Sequence, residues 1–519
     1  MSHYTPQDVQ CNQTIVFTHN HLSALTCKPG TVVINDTLSY SLKTQNQLSL
    51  QVNLCESQFL GTHNSAISAA YGYGTEDGFL SLLLYVSDVQ LFKVHTLNQY
   101  LSITDQLNLG IRVIEIDVHF VYDSLRIAHC GGFSSPFLNY IFAGIETLFG
   151  KWGFKYDSET IGCFPSFSGI PYDDQIGINV VLQEIHTWLF DPKNNREFLI
   201  LYLDDYENIE RWKLVQQLQE EILHYIPITM IILPQEMDTS LPLQYYVQQG
   251  KRVMIVSRFH YTVEDDASSH NLYQSIKQFI SSPFSSSKHK QLHKNQSINS
   301  INIFFFRGDH NTCYWNEPSL NTYSTVESCP NHNHTYSRVG CNVIRYGPVN
   351  SRFLPKPDED TITVNNINTL FDCGVNTVGI DLHSLSYAQQ SIWTWDLTIN
   401  FQDYKSQSLY YCTSISTSTF RWFPMNCSTV LPALCRHTTN QSLWTIGQVS
   451  KYPTNDISNI YINLYIYIVH LTPLCPDEYI FSVPYTHYQN SVMKKQLEDV
   501  FKFYSFLWIN WNFTKFFEI

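Results

Sequence analysis

Gly110 to Phe120 read GIRVIEIDVHF, and this stretch decides the fold. From Val113 onward the side chains alternate, with Ile114, Ile116 and Val118 on one side of an extended chain and Glu115, Asp117 and His119 on the other. A period of two is that of a β-strand. Two carboxylates on one face of an apolar run repel each other and lose hydration, which is costly unless something neutralises them. A divalent cation would do so, and carboxylate oxygens suit calcium or magnesium. The plainer reading is that both acids pair with Arg112 or face solvent, the commoner fate of a lone Glu-x-Asp strand. The segments around it favour the cation.

Outward from this strand, short apolar runs alternate with stretches of helical spacing. Phe59 to Gly61 ends one run, and Leu125 to Ala128 forms a brief partner strand. Glu197 to Leu203 (EFLILYL), Val253 to Ser257 (VMIVS), Ile301 to Phe306 (INIFFF) and Thr377 to Leu382 (TVGIDL) read as further strands. Ile178 to Leu189, Ile209 to Leu223 and Val364 to Phe371 have helical spacing. Such alternation over roughly 330 residues predicts an α/β fold with a parallel sheet or barrel. Residues 265–300, rich in Ser, His, Lys, Asn and Gln, interrupt the rhythm as a helix and a flexible insertion. Lys288, Lys290 and Lys294 there could touch an anionic membrane, although a solvated loop is the simpler reading. The first 50 residues are polar, with strand-like pieces at Thr31 to Ile34 and Leu48 to Val52. The expected organisation is a lead-in over 1–55, a barrel over 56–390 and an accessory region over 391–519.

Composition bounds the function. With 44% hydrophobic and 15% charged residues, the 519-residue chain can bury a sizeable core. A net charge of −14 argues against a nucleic-acid partner. The abundant Tyr, Phe and Trp suit a packed core or a rim at a lipid surface. Of 13 cysteines, eight lie from Cys313 to Cys475, a crowding that suits disulfides in an oxidising compartment. Secretion is the expectation this favours, yet MSHYTPQDVQCNQT shows no basic start followed by an apolar run, so no signal peptide is visible. Seven N-x-S/T sites are about what this composition gives by chance. The apolar run Ile460 to Val469 is too short to span a bilayer and carries Asn463.

Four segments carry the chemistry: Gly61-Thr62-His63-Asn64-Ser65, the strand through Glu115 and Asp117, Ile127-Ala128-His129-Cys130-Gly131, and Leu201-Tyr202-Leu203-Asp204-Asp205. Histidines titrate near neutrality, so His63 and His129, at strand ends among small residues, form a candidate acid/base pair. His119, beside Asp117 on its face, reads as a packing or supporting residue. Asn64 and Asp204 could add oxygen ligands to Glu115 and Asp117.

Together these segments resemble the catalytic X-region of phosphatidylinositol-specific phospholipase C, over about Phe59 to Leu382. That family shows G-T-H-N/D-S, then G-x-R-x-x-E-x-D, then a histidine before Gly, and here His129 lies 12 residues beyond Asp117. The resemblance implies a TIM-type (β/α) barrel, a PLC-like phosphodiesterase, with the site at the C-terminal rim. In the metal-independent branch of the family Asn64 and Asp117 would be Asp and Arg, so the resemblance implies the metal-dependent branch. It makes Asn64, Glu115, Asp117 and Asp204 the ligands of a divalent metal ion, Ca2+ favoured and Mg2+ possible. Asp204 departs from the Glu usual there, and Asp205 is its fallback.

The resemblance also assigns roles. His129 protonates the departing alkoxide, His63 stabilises the phosphorane or shuttles the attacking proton, and Asp381 orients the first histidine. Arg258 and Arg307, each after a strand, would contact phosphate or headgroup, whereas Arg112 reads as structural. The implied substrate is a phospholipid, phosphatidylinositol first, met in transient contact with a membrane surface, a role in lipid metabolism. The rivals are a glycerophosphodiesterase or sphingomyelinase-D-type enzyme, or a non-catalytic lipid- or glycan-binding protein on the same barrel.

Beyond Asp381 the sequence turns to SIWTWD (Ser391 to Asp396), then Cys412, Trp422, Cys427 and Cys435 in a Ser/Thr-rich, strand-prone stretch. This predicts a mostly β region held by disulfides. It resembles the Cys- and Trp-bearing segment of fungal and protist phospholipase-like proteins, with a weak likeness to half a C-type lectin. A structural cap is the favoured reading over a lectin, and Cys427 with Cys435 makes no convincing zinc site. Gln489 to Phe506 reads as an amphipathic helix near Trp508 and Trp511, with core packing expected over membrane contact.

Overall fold

Among the described residues, eight strands run parallel in one sheet: β1 (Phe59–Thr62), β2 (Val113–Val121), β3 (Leu199–Asp204), β4 (Val253–Ser257), β5 (Phe305–Arg307), β6 (Cys313–Asn316), β7 (Cys341–Tyr346) and β8 (Thr377–Ile380). The computed structural model describes residues 2–3, 9–19, 22–73, 97–121, 124–128, 144, 175–204, 209, 213–257, 305–307, 313–316, 341–346, 367–382, 384–452 and 474–511. In space the strands follow the order β6-β7-β8-β1-β2-β3-β4-β5, which is their sequence order wound once around. The expected barrel is therefore present as a wound parallel sheet, but it is not closed. Among the described residues no ladder joins β5 to β6, although their Cα atoms come within 8 Å. A three-residue strand such as β5 offers few backbone groups for a second ladder. Ser124–Ile127 adds a ninth strand, antiparallel to β2.

Parity along the strands separates two cores. Leu60, Ile114, Ile116, Leu201, Leu203, Ile255, Val378 and Ile380 pack on the helix side. Phe59, Val113, Ile200, Tyr202, Met254 and Val256 form a second cluster on the concave side. Since side chains two apart share a face, Gly61, Glu115, Asp117, Asp204, Gly379 and Asp381 belong to the concave side. Its lower layer is apolar and its C-terminal layer is acidic.

Gly61 fits because β1 and β2 approach closely. A Cβ there would stand 2.7 Å from Val113 Cβ and 2.9 Å from its carbonyl oxygen. We expect Gly61→Ala to cost about 1–3 kcal/mol, the usual range for overpacking, read from the midpoint of chemical denaturation.

The helices whose bounds fall within the described residues of this part are α1 (Asp36–Ser49), α2 (Ile103–Leu109), α3 (Ile178–Phe190), α4 (Val215–Tyr225), α5 (Leu243–Gln248), α6 (Ile367–Asp372) and α7 (Leu385–Gln390). The helix expected over Ile209 to Leu223 is interrupted: Ile209 is helical, Lys213 and Leu214 are not, and α4 starts at Val215. Nor is Leu48 to Val52 a strand: Leu48 and Ser49 end α1 and a turn follows. Asn35 starts α1 by accepting the Leu38 N–H at 3.0 Å, and Leu38, Leu42 and Leu48 bury one side of it. Ahead of α1, Thr14–His19 and Leu22–Cys27 form a hairpin beside the Cys11–Cys27 disulfide.

Among its described residues, the C-terminal region forms a separate sheet of six short strands: β9 (Tyr411–Ser416), β10 (Trp422–Asn426), β11 (Leu431–His437), β12 (Trp444–Ser450), β13 (Tyr479–Phe481) and β14 (Phe506–Trp508). Two disulfides hold it, Cys412–Cys427 and Cys435–Cys475. Cys427 and Cys435 thus belong to different bridges. Helix α8 (His487–Phe501) is shorter than expected, because the chain turns and re-enters the sheet as β14. Trp508 and Trp511 are buried in packing. The sheet's aromatic core joins Trp393, Trp395 and Trp422 to Tyr40 of α1. Gln58 bridges the two parts: its Nε2 donates to the Phe371 and Val375 carbonyls and its Oε1 accepts the Tyr488 N–H. No helix among the described residues is long and apolar enough to cross a membrane.

Candidate active site

Strand register assembles the site. Ile380 of β8 pairs with Thr62 of β1, so Asp381 and His63 follow as neighbours, with Nδ1 of the ring 2.8 Å from Oδ1 of the carboxylate. Thr62 pairs in turn with Ile114 of β2, and Ser65 clasps Glu115 by two bonds, its N–H donating to the Glu115 carbonyl and its Oγ accepting the Glu115 N–H, each at 2.9 Å. Asp117 lies opposite Asp204 of β3. Four adjacent strands therefore bring His63, Asn64, Glu115, Asp117, Asp204 and Asp381 to one rim.

Glu115 and Asp117 are 3% exposed and Asp204 7%, and one oxygen from each lies within 4.8 Å of the others. Arg112 does not neutralise them. It faces the helix side, where its Nε donates to Glu197 Oε2 at 2.9 Å and its guanidinium lies over the Trp188 ring. Three buried carboxylates converging in this way could hold a hard divalent cation, since oxygen donors in close array suit such ions. Asn64 stands beside them, its backbone N–H 3.4 Å from Glu115 Oε2. Its φ of 46° is the left-handed conformation that Asn tolerates better than most residues.

Burial pulls the pKa of His63 down, but the charge and hydrogen bond of Asp381, with the charges of Glu115 and Asp117, push it up further, to about 9. The ring is a cation at neutral pH in the metal-free protein, held by an aspartate that fixes its orientation.

A segment absent from the sequence-level reading braces this rim. Asn98 accepts from Asn64 Nδ2 at 3.1 Å and sets its own Nδ2 3.4 Å from Asp381 Oδ1. Gln99, fully buried, donates through Nε2 to the carbonyls of His63 and Ile380 and accepts the Leu382 N–H. No motif marks these two amides, and 283 residues separate Asn98 from Asp381.

His129 follows Ala128, whose N–H donates to the Asp117 carbonyl, and itself lies outside the described residues. Arg258, Asp205 and the Lys288–Lys294 loop also lie outside them. Arg307 ends β5. His119 is buried in the β2 hairpin opposite Arg126.

No protein-family model and no curated protein matches the chain. Solved structures similar to it include the phosphatidylinositol-specific phospholipase C of Listeria monocytogenes, at 13% identity over 67% of this chain and 98% of that one, with a TM-score of 0.33. The phosphatidylinositol-specific phospholipase C of S. aureus is 9% identical over 66% and 92%, with a TM-score of 0.32. PLC21 of L. pealei is 10% identical over 78% of this chain and 48% of its own length, with a TM-score of 0.31. Likeness at this level adds nothing to the reading of the site, which rests on its geometry.

Proposed function

We propose that the chain is a phosphoric diester hydrolase of the phosphatidylinositol-specific phospholipase C class, acting on a phospholipid. The observation that supports this is the convergence of three buried carboxylates and an imidazole–carboxylate pair on one rim of a parallel sheet. Glu115, Asp117 and Asp204, with Asn64, would hold a divalent cation, calcium first. Bound there, such an ion would offset the three charges, acidify a nearby hydroxyl and take up charge on the phosphoryl oxygens.

The chain's own groups do the rest. Protonated and oriented by Asp381, His63 donates a hydrogen bond to a phosphoryl oxygen and stabilises the crowded phosphorus centre. His129, next along the chain from the backbone that Asp117 holds, gives its proton to the departing alkoxide. Arg258 and Arg307 receive the phosphate or headgroup. The neighbouring hydroxyl of an inositol ring attacks phosphorus and passes its proton to one of the rim carboxylates, the bond to the diacylglycerol oxygen breaks as that oxygen takes the His129 proton, and the first product is a cyclic phosphate.

Phosphatidylinositol in mixed vesicles, with and without excess calcium chelator, tests this. We expect diacylglycerol and a cyclic inositol phosphate, seen by 31P NMR, and loss of turnover with chelator. Free choline or glycerol phosphate as product points instead to the glycerophosphodiesterase or sphingomyelinase-D class.

A further inference from the structure

Three side chains on the rim share one direction of hydrogen bonding, and a carboxylate begins it. An ionised carboxylate only accepts, so the Asn98 amide that meets Asp381 Oδ1 at 3.4 Å turns its Nδ2 that way. The same turn sets Asn98 Oδ1 on the other side, where Asn64 Nδ2 donates to it at 3.1 Å. Asn64 thereby commits its nitrogen to Asn98 and keeps Oδ1, the end of its amide able to ligate a cation.

We propose that Asn98 is a positioning residue that relays the orientation set by Asp381 to Asn64, so that one carboxylate fixes both the ring of His63 and the atom that Asn64 offers to a metal ion. The inference rests on the metal-binding reading above and deepens it. Both halves of the Asn98 amide are needed: aspartate would keep the acceptor and lose the donor, and leucine, of similar size, would lose both. The backbone at this point is held independently, because Gln99 ties itself to His63, Ile380 and Leu382. Losing the Asn98 amide therefore removes the relay without removing the segment.

Calorimetric titration of the full chain with calcium chloride tests this, alongside melting temperature and steady-state kinetics. Asn98→Leu should weaken calcium binding about ten-fold or more, the usual effect of removing a group that orients a ligand, at an unchanged melting temperature. Asn98→Asp should bind calcium at least as tightly as the parent yet lose kcat with little change in KM, because only the Asp381 half is broken. Parental calcium affinity in Asn98→Leu overturns the relay. If the parent chain itself takes up no calcium, the metal-binding reading fails, and the relay is then judged in the metal-free protein. There Asp381→Asn should shift the side-chain amide resonances of Asn98 and Asn64 together in a 15N–1H spectrum of Asn-labelled protein. An unmoved Asn64 resonance sinks it.

Discussion

Asp117→Asn should lower phosphodiester turnover by on the order of 10³-fold, the scale expected when one charged member of a preorganised site is lost, while making the metal-free protein more stable. The two signs are opposed for one reason. Glu115, Asp117 and Asp204 bring three oxygens within 4.8 Å at buried positions, a useful array around a cation and a repulsive one without it. Neutralising the middle acid relieves part of that repulsion, and the gain is what remains after the attraction between Asp117 and the protonated His63 ring is given up. Calcium should raise the melting temperature of the parent and leave that of Asp117→Asn nearly unmoved, since a ligand stabilises only the state that binds it. The pH dependence follows from His63. Its pKa is raised in the fold, so the stability it contributes is full below its ordinary value and fades as pH rises through about 9. Asp117 is one of the charges that raise it, so the substitution should move that alkaline limit downward. Unchanged turnover, or a metal-free variant less stable than the parent, would count against the cluster as a cation site.

Much of this was legible in the chain. The period-two run from Val113 put Glu115 and Asp117 on one face, and the register with β3 sets Asp117 against Asp204. Burial decides what alternation alone could not, namely that this face is the concave one. The strands β6 and β7 were missed because CYWN and CNVIRY carry little alternation and lie in Cys- and Asn-rich surroundings. Helix α1 was hidden for a different reason: DTLSYSLKTQNQLS is largely polar, and its burial comes from packing against both the barrel and the C-terminal sheet. Asn98 and Gln99 had no local signature at all. Their roles arise only where the ends of β1 and β8 meet, and an amide is distinguished from any other loop amide by its partners, not by its spacing.

The residue that leads into the strand of the acids carries the largest expected effect on stability. Arg112→Met should destabilise the fold by about 3–5 kcal/mol, the cost of leaving one member of a buried ion pair behind. Arg112 is fully buried, and Glu197, its partner, is nearly so, with Nε donating to Oε2 at 2.9 Å and a second guanidinium nitrogen 2.8 Å from the same oxygen. Its remaining contacts are the carbonyls of Leu107 and Ile111 and the face of Trp188, so it ties α2, α3 and β2 together. Removing the guanidinium alone strands a carboxylate in an apolar layer. Removing both charges does not, so Arg112→Met combined with Glu197→Leu should recover most of the loss, because well-packed apolar groups often replace a buried pair at little cost. Side-chain parity places Arg112 on the helix side of β2 and Glu115 on the concave side, so the double variant should keep its calcium affinity. Denaturation midpoints for the two single variants and the double variant measure the coupling directly. Additive losses would mean that the pair does not act as a unit, and a loss of calcium affinity in the refolded double variant would place Arg112 in the site instead of behind it.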